Sequence, residues 1–179
     1  MDIINRMIRA AKLDASLYEE VEKDTTATNQ ALLVVVIASL CAGIGQAIAG
    51  VGDLAIGFVT GLVTALVGWL IWSFITYLIG TRVFKGPNTE ASYGQLLRCI
   101  GFSNSPGVLS IFAFIPALGP VIVFIAAIWS LVAMVIAVRQ GLDFSTGRAI
   151  ATCIVGFIVL IVIMAVVGGL TAGMLGLGK

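Results

Sequence analysis

Apolar runs of about twenty residues dominate the chain, set apart by short polar breaks. The pattern predicts spans at about 31–51, 54–79, 96–115, 121–138 and 149–170. At 1.5 Å per residue, runs of this length cross a hydrocarbon core of about 30 Å as α-helices. A membrane barrel would alternate apolar and polar side chains over ~10-residue segments; these runs are continuous. The expected fold is all-α, a polytopic bundle of five transmembrane helices preceded by a short amphipathic N-terminal helix. The domain division that follows is an N-terminal cytoplasmic segment, 1–26, and a transmembrane domain, 27–175.

The breaks between runs carry the residues that end or start helices. Thr25, Thr26, Thr28 and Asn29 offer N-caps for the first span. Gly50, Gly52 and Asp53 make a short turn, and Arg82, Lys85, Gly86, Pro87, Asn88 and Glu90 form a polar loop. Pro116, Gly119 and Pro120 make a tight turn, and 139–148 is a second polar loop. The third run is the least regular, with Arg98 near its start and Asn104-Ser105-Pro106-Gly107 in its middle. Proline lacks an N–H and clashes with the preceding turn, so a kink or break is expected at Pro106.

Residues 1–18 read as one amphipathic helix. Ile3, Ile4, Met7, Ile8 and Ala11 recur at helical spacing, and Arg6, Arg9 and Lys12 lie on the other side. Such a helix fits a membrane surface, with its apolar stripe in the acyl boundary and its cations on anionic headgroups. The alternative is that the same face packs on the protein's own helices.

Composition supports lipid as the solvent. Hydrophobic residues make up 60% of the 179 and charged residues 11%, and the mean hydropathy is +1.13. That leaves too little polar surface for a water-exposed exterior. The net charge of +1 offers no bulk attraction to nucleic acid. No cleavable signal peptide is expected, because the charged first thirty residues lack a 7–15-residue apolar core. With five crossings and a cytoplasmic N-terminus, Arg6, Arg9, Lys12, Lys23, Arg82, Lys85, Arg98, Arg139 and Arg148 all fall inside, and only Lys179 falls outside. This satisfies the positive-inside bias and puts the C-terminus outside, in the cell membrane if the source is prokaryotic. Arg98 is expected to snorkel to the cytoplasmic surface, avoiding the ~2.5–3.5 kcal/mol of a charge at the helix centre.

Chemistry is scarce. There is no histidine, which removes the commonest general base, metal ligand and haem ligand. Cys41, Cys99 and Cys153 stand alone in apolar runs and read as small hydrophobes. No Asp, Glu or Lys lies in a span away from an end, so the usual marks of an ion pathway are absent and Ser or Thr nucleophiles have no base. The chain is read as non-enzymatic, with no catalytic residue, cofactor or metal. The neutral polar candidates for binding are Gln46 and the break at Asn104, Ser105 and Pro106. Small residues spaced for close helix contact are Ala38/Ala42, Ser39/Gly43, Gly57/Gly61, Ala133/Ala137 and Gly169/Gly173. Ile71-Trp72-Ser73 and Ile128-Trp129-Ser130 each place a Trp ten residues before an Arg. They suggest a parallel repeat of spans 2–3 and 4–5, or simply two inward-running helices that end alike.

Leu96-Leu97-Arg98-Cys99-Ile100-Gly101-Phe102 through Pro106, then Ile115-Pro116-Ala117-Leu118-Gly119, then Trp129 with Val138-Arg139-Gln140-Gly141-Leu142, and Thr146-Gly147-Arg148-Ala149 together resemble the Yip family of Ypt/Rab-interacting membrane proteins, in its short prokaryotic form. The resemblance covers residues 92–150 and extends loosely over the other spans. It implies five membrane helices and a cytoplasmic N-terminus, and for eukaryotic members Rab-type GTPase binding and a role in vesicle traffic. For this chain the resemblance leaves GTPase binding possible, but the segment before the first span is only about 26 residues, so it does not transfer safely. The expected function is a scaffold or adaptor that assembles with other membrane proteins or itself, an accessory subunit of a larger complex being one version, with Arg98 and Trp129 among the candidate contact residues. The alternative is a small-molecule or lipid transporter or channel using the broken third span. A third reading gives the N-terminal helix a role in sensing membrane curvature.

Overall fold

The computed structural model describes residues 2–50, 54–86, 89 and 91–174, with side chains omitted at 54–56 and 168–174. The expected turn at Gly52 and Asp53, part of the loop (Pro87, Asn88, Glu90), Lys179 and any packing of Gly169 and Gly173 lie outside the described residues.

Two short helices, α1 (Ile3–Ala11) and α2 (Ala15–Lys23), precede α3 (Ala27–Ile48) and α4 (Leu54–Arg82). Then come α5 (Tyr93–Phe102), a 3₁₀ helix (Ser105–Phe114), α6 (Gly119–Gly141) and α7 (Thr146–Met174). Five segments among the described residues are long and apolar enough to cross a membrane: Ala27–Ile48, Gly57–Arg82, Tyr93–Phe114, Gly119–Gly141 and Thr146–Val167. The third joins α5 to the 3₁₀ helix. Large apolar side chains stand exposed along α4, α6 and α7, with Phe124 67% and Met164 65% accessible. A soluble monomer does not present so much apolar surface, whereas a bilayer solvates it.

The expected single N-terminal helix is two. It stops at Ala11, the chain turns through Leu13 at φ 61°, and Asp14 restarts it by accepting from the Ser16 amide at 3.0 Å. An N-cap there is worth more than continued helix, because it satisfies an orphan N–H of α2. The apolar stripe of α1 divides accordingly. Ile3 and Met7 pack on the core, and Ile4 and Ile8 stay exposed.

The packing does not divide at residue 26. Leu17, Tyr18 and Val21 of α2 are fully buried in one cluster with Leu96, Cys99, Phe102, Val138 and Leu142. α3 crosses α5 so closely that a Cβ at Gly101 would meet the Ala31 Cβ at 2.7 Å. Further along α3, a Cβ at Gly45 would run into the carbonyls of Ser110 and Ile111. The bundle has a closed end, where α1 and α2 plug the helices; toward the opposite end α3 stays packed on the 3₁₀ helix, while α4 is more open. Along α4 toward that end, an added Cβ at Gly57 or Gly61 would touch nothing within 4 Å among the described residues.

Candidate functional site, a cavity beside the broken third span

The break in the third span starts from α5. Ser92 and Gln95 form a capping box at its start, with the Ser92 amide donating to Gln95 Oε1 at 2.6 Å and the Gln95 amide to Ser92 Oγ at 3.3 Å. Its end is closed by three consecutive polar residues. Ser103 Oγ donates to the Ile100 carbonyl at 2.7 Å, Asn104 Nδ2 to the same carbonyl at 2.9 Å, and Ser105 Oγ to the Phe102 carbonyl at 2.7 Å. Pro106, buried at the first turn of the 3₁₀ helix, has no N–H to leave unpaired. The carbonyls freed by the break are thus satisfied by side chains next to them, which backbone at membrane depth requires.

A cavity of about 490 Å³ lies beside this break, between α3, α4, α6 and the third span. Val35, Trp72, Ile100 and Met134 lie at one end of it, with Thr64, Ala127 and Ser110 toward the other. Ser39, Ser103, Asn104 and Ser130 add polar groups, and no charged side chain lines it among the described residues. Two tryptophans form its wall. Trp69 Nε1 donates to the Leu97 carbonyl at 2.9 Å, while Trp72 Nε1 is buried without a partner among the described residues. Among the described residues the hydroxyls of Tyr18 and Ser73 are buried without partners too.

Of the predicted candidates, Asn104 lines this cavity; Ser105 and Pro106 form the break behind it. Gln46 does not join them: it stands exposed on the last turns of α3. Arg98 does not snorkel. Only 6% exposed, it points into the closed end, where Nε donates to the Val21 carbonyl at 2.8 Å and Nη2 to the Glu22 carbonyl. A guanidinium on the last carbonyls of α2 satisfies orphan acceptors and opposes the helix dipole, which stabilises it better than a long reach to water. Trp129, 37% exposed, donates to the Ala11 carbonyl at 2.7 Å and so holds the end of α1.

The cations expected on headgroups are placed differently from one another. Arg6 is 4% exposed, with Nη2 at 2.8 Å from both Glu20 and Asp24 and Nη1 at 2.9 Å from Gln30. Arg9 pairs with Asp14 at 2.8 Å and Glu20 at 2.7 Å. Lys12 is exposed. The basic face of α1 is turned onto the acidic residues of α2, because a cation at a bilayer boundary gains more from a carboxylate in contact than from a mobile headgroup. The Arg9 and Arg6 guanidiniums in turn hold the Glu20 carboxyl below its usual range. Asp14, bonded to Ser16 and Arg9, and Asp24, bonded to Thr26 and Arg6, are both lowered to about 2. Burial, with Asp143 nearby, pushes Glu22 up, and Gln95 Nε2 donates to its Oε1 at 3.1 Å.

Sequence spacing gave no warning of Trp72, Ser39 or Ser130 as cavity wall, since tryptophan and small polar residues in an apolar run fit core and lipid face equally. The two Trp-Ser matches also part company in space. Trp72 is buried against Phe157 of α7, with ring centroids 4.4 Å apart, and Trp129 faces outward.

A family model described as the Yip1 domain matches residues 16–168. The chain belongs to the Yip1 domain family. The match begins inside α2, and with the five apolar spans it marks an integral membrane protein of that family. No match to the chain was found among curated proteins or among solved structures.

Proposed function

We propose that this Yip1-family chain is a non-enzymatic membrane scaffold or adaptor, which assembles within the bilayer with other membrane proteins or with a second copy of itself. The observation that carries this reading is the open face of α4. Ala133 and Ala137 are fully buried inside the bundle, yet among the described residues nothing lies within 4 Å of where a Cβ would be at Gly57 and Gly61. In lipid, helices associate by close backbone approach at small residues, and this face is left free for it. An accessory subunit of a larger membrane complex is one form of this role. α2 is folded against α5 and α6, which does not favour it as a handle for a soluble GTPase.

The placement of the basic residues supports a cytoplasmic N-terminus and an external C-terminus, with Lys12 the remaining cation of α1 for the headgroup layer. Extraction in native lipid followed by mass spectrometry should recover the chain with a partner or with itself. Gly61→Leu should lose that association with helix content unchanged. A chain that is monomeric and partner-free in native lipid would end the reading.

The cavity beside Asn104 favours a second reading, a carrier or channel for a small molecule or lipid. Flux in proteoliposomes that falls on replacing Asn104 and Pro106 would support it. Flux indifferent to both changes, or no flux at all, would remove it.

A further inference from the structure

We propose that Arg82, Lys85, Arg139 and Arg148 form a binding site for the phosphate headgroup of an anionic phospholipid, at the corner where α4 and α6 end and α7 begins. The site is independent of both readings of the function. Packing brings the three helix ends together. A Cβ at Gly80 of α4 would run into the side chain of Leu142, just past α6. A Cβ at Gly86 would collide with the Arg148 guanidinium, so that group lies against the chain directly after Lys85. Arg139 Nη1 donates to Thr146 Oγ1 at 3.4 Å, which directs it to the first turn of α7. Arg82, Lys85 and Arg148 are exposed, and Arg139 is half-buried. None of the four has a carboxylate within 4 Å among the described residues, where the ion pairs all belong to Arg6 and Arg9. Arg139 bonds only to the neutral Gln140 and Thr146. The nearby acids are turned elsewhere: Asp143 lies close to Glu22 of α2, and Glu19 accepts from Gln140.

The charges of this protein are sorted, and the sorting identifies the ligand. Residues 1–26 hold six carboxylates and four cations, so the arginines of α1 find their counter-ions within the chain. The positive-inside bias accounts for the side of the membrane on which the other cations lie. It does not account for four of them meeting at one corner without a carboxylate. Their depth is that of the headgroups. Arg82 closes the second span, Arg139 lies two residues from the end of the fourth, and Arg148 is in the first turn of the fifth. Guanidiniums match phosphate oxygens in geometry as well as charge, and basic clusters between span ends at this depth suit anionic headgroups. A lipid fits better than a free phosphate because apolar side chains stand beside the cations. Val83 is 64% and Ile150 42% exposed, which offers the acyl chains a surface next to the charge.

Full-length protein, stripped of lipid in mild detergent, is titrated with dioleoylphosphatidylglycerol and, separately, with dioleoylphosphatidylcholine. Bound lipid is counted by native mass spectrometry, and glycerol 3-phosphate serves as the lipid-free competitor. Saturable binding of phosphatidylglycerol is expected, tighter than that of phosphatidylcholine and not displaced by glycerol 3-phosphate at equal concentration. Lys85→Gln and Arg148→Gln should each weaken it by roughly fivefold, the worth of one cation at a charged leaflet. The double variant should weaken it by more than tenfold. Lys23→Gln removes an exposed cation of α2, away from this corner, and should leave binding unchanged. Lys85→Gln paired with Arg82→Gln carries the same test on two exposed side chains if Arg148→Gln fails to fold. Equal binding of the two lipids, non-saturable uptake, displacement by glycerol 3-phosphate, unchanged binding in a folded double variant, or an equal loss in Lys23→Gln would each overturn the proposal.

Discussion

The two ends of the bundle are built from different materials. At the closed end, small and large apolar residues interlock, and the charged groups between them are paired: Arg98 on the carbonyls of α2, Arg6 on Glu20 and Asp24, Gln140 Nε2 on Glu19 at 2.7 Å. Toward the other end, α4 presents Gly57 and Gly61 with nothing close to them among the described residues, and between the two lies the cavity beside the broken span. The contrast teaches where rigidity comes from in this chain. Lipid supplies no hydrophobic drive between helices, so the end that is fixed is the one where hydrogen bonds and ion pairs were added to close packing. Beyond it, the face of α4 at Gly57 and Gly61 keeps surface for others.

The sharpest way to break the contrast is to remove Arg98. Arg98→Met keeps much of the side-chain volume but leaves the Val21 and Glu22 carbonyls buried and unpaired. The expected loss is about 3 kcal/mol, read as a drop in the thermal midpoint in detergent and as new protease cleavage within α1 and α2.

Matched glycine changes come next. Gly101→Leu drives a side chain into Ala31 and should destabilise by about 2 kcal/mol or fail to assemble. Gly61→Leu, at the open face, should stay within about 0.5 kcal/mol of the parent in the same unfolding measurement. Equal losses at both positions would erase the distinction between the ends.

Acid should loosen only the closed end, and with the smallest effect. Asp14, Asp24 and Glu20 have lowered values in the folded chain, so their contribution is present above the usual carboxylate range and fades as pH falls toward about 2. Glu22 runs the other way. Its raised value means that the first protons taken up relieve a buried charge, so stability rises slightly before it falls. Hydrogen exchange followed along an acid titration should show amides of α1 and α2 losing protection while those around Trp69 and Trp72 keep theirs. Protection lost uniformly along the chain would contradict this.

The sequence made the five spans legible because run length against bilayer thickness is a one-dimensional test, and it made the break legible because Pro106 acts through its own covalent structure. The halves of the ion network could not be seen. Arg6 meets Glu20 and Asp24 across fourteen and eighteen residues, and helical spacing relates only residues three or four apart. The split of the N-terminal helix hid for a similar reason: Leu13, which adopts the left-handed turn, is not a residue that announces one. Arg98 misled because snorkelling is the usual answer for a lone cation near a span end, and it assumes that water is the nearest acceptor. Here a helix terminus is nearer.

The 3₁₀ helix after the break has a further effect on distance. Its ten residues advance about 2.0 Å each and cover roughly 20 Å, where α-helix would cover roughly 15 Å. The change of winding lengthens the third crossing by about 5 Å without adding a residue, and it does so with a thinner rod. A substitution that rewound Ser105–Phe114 as α-helix would draw the turn at Ile115–Gly119 inward by that amount.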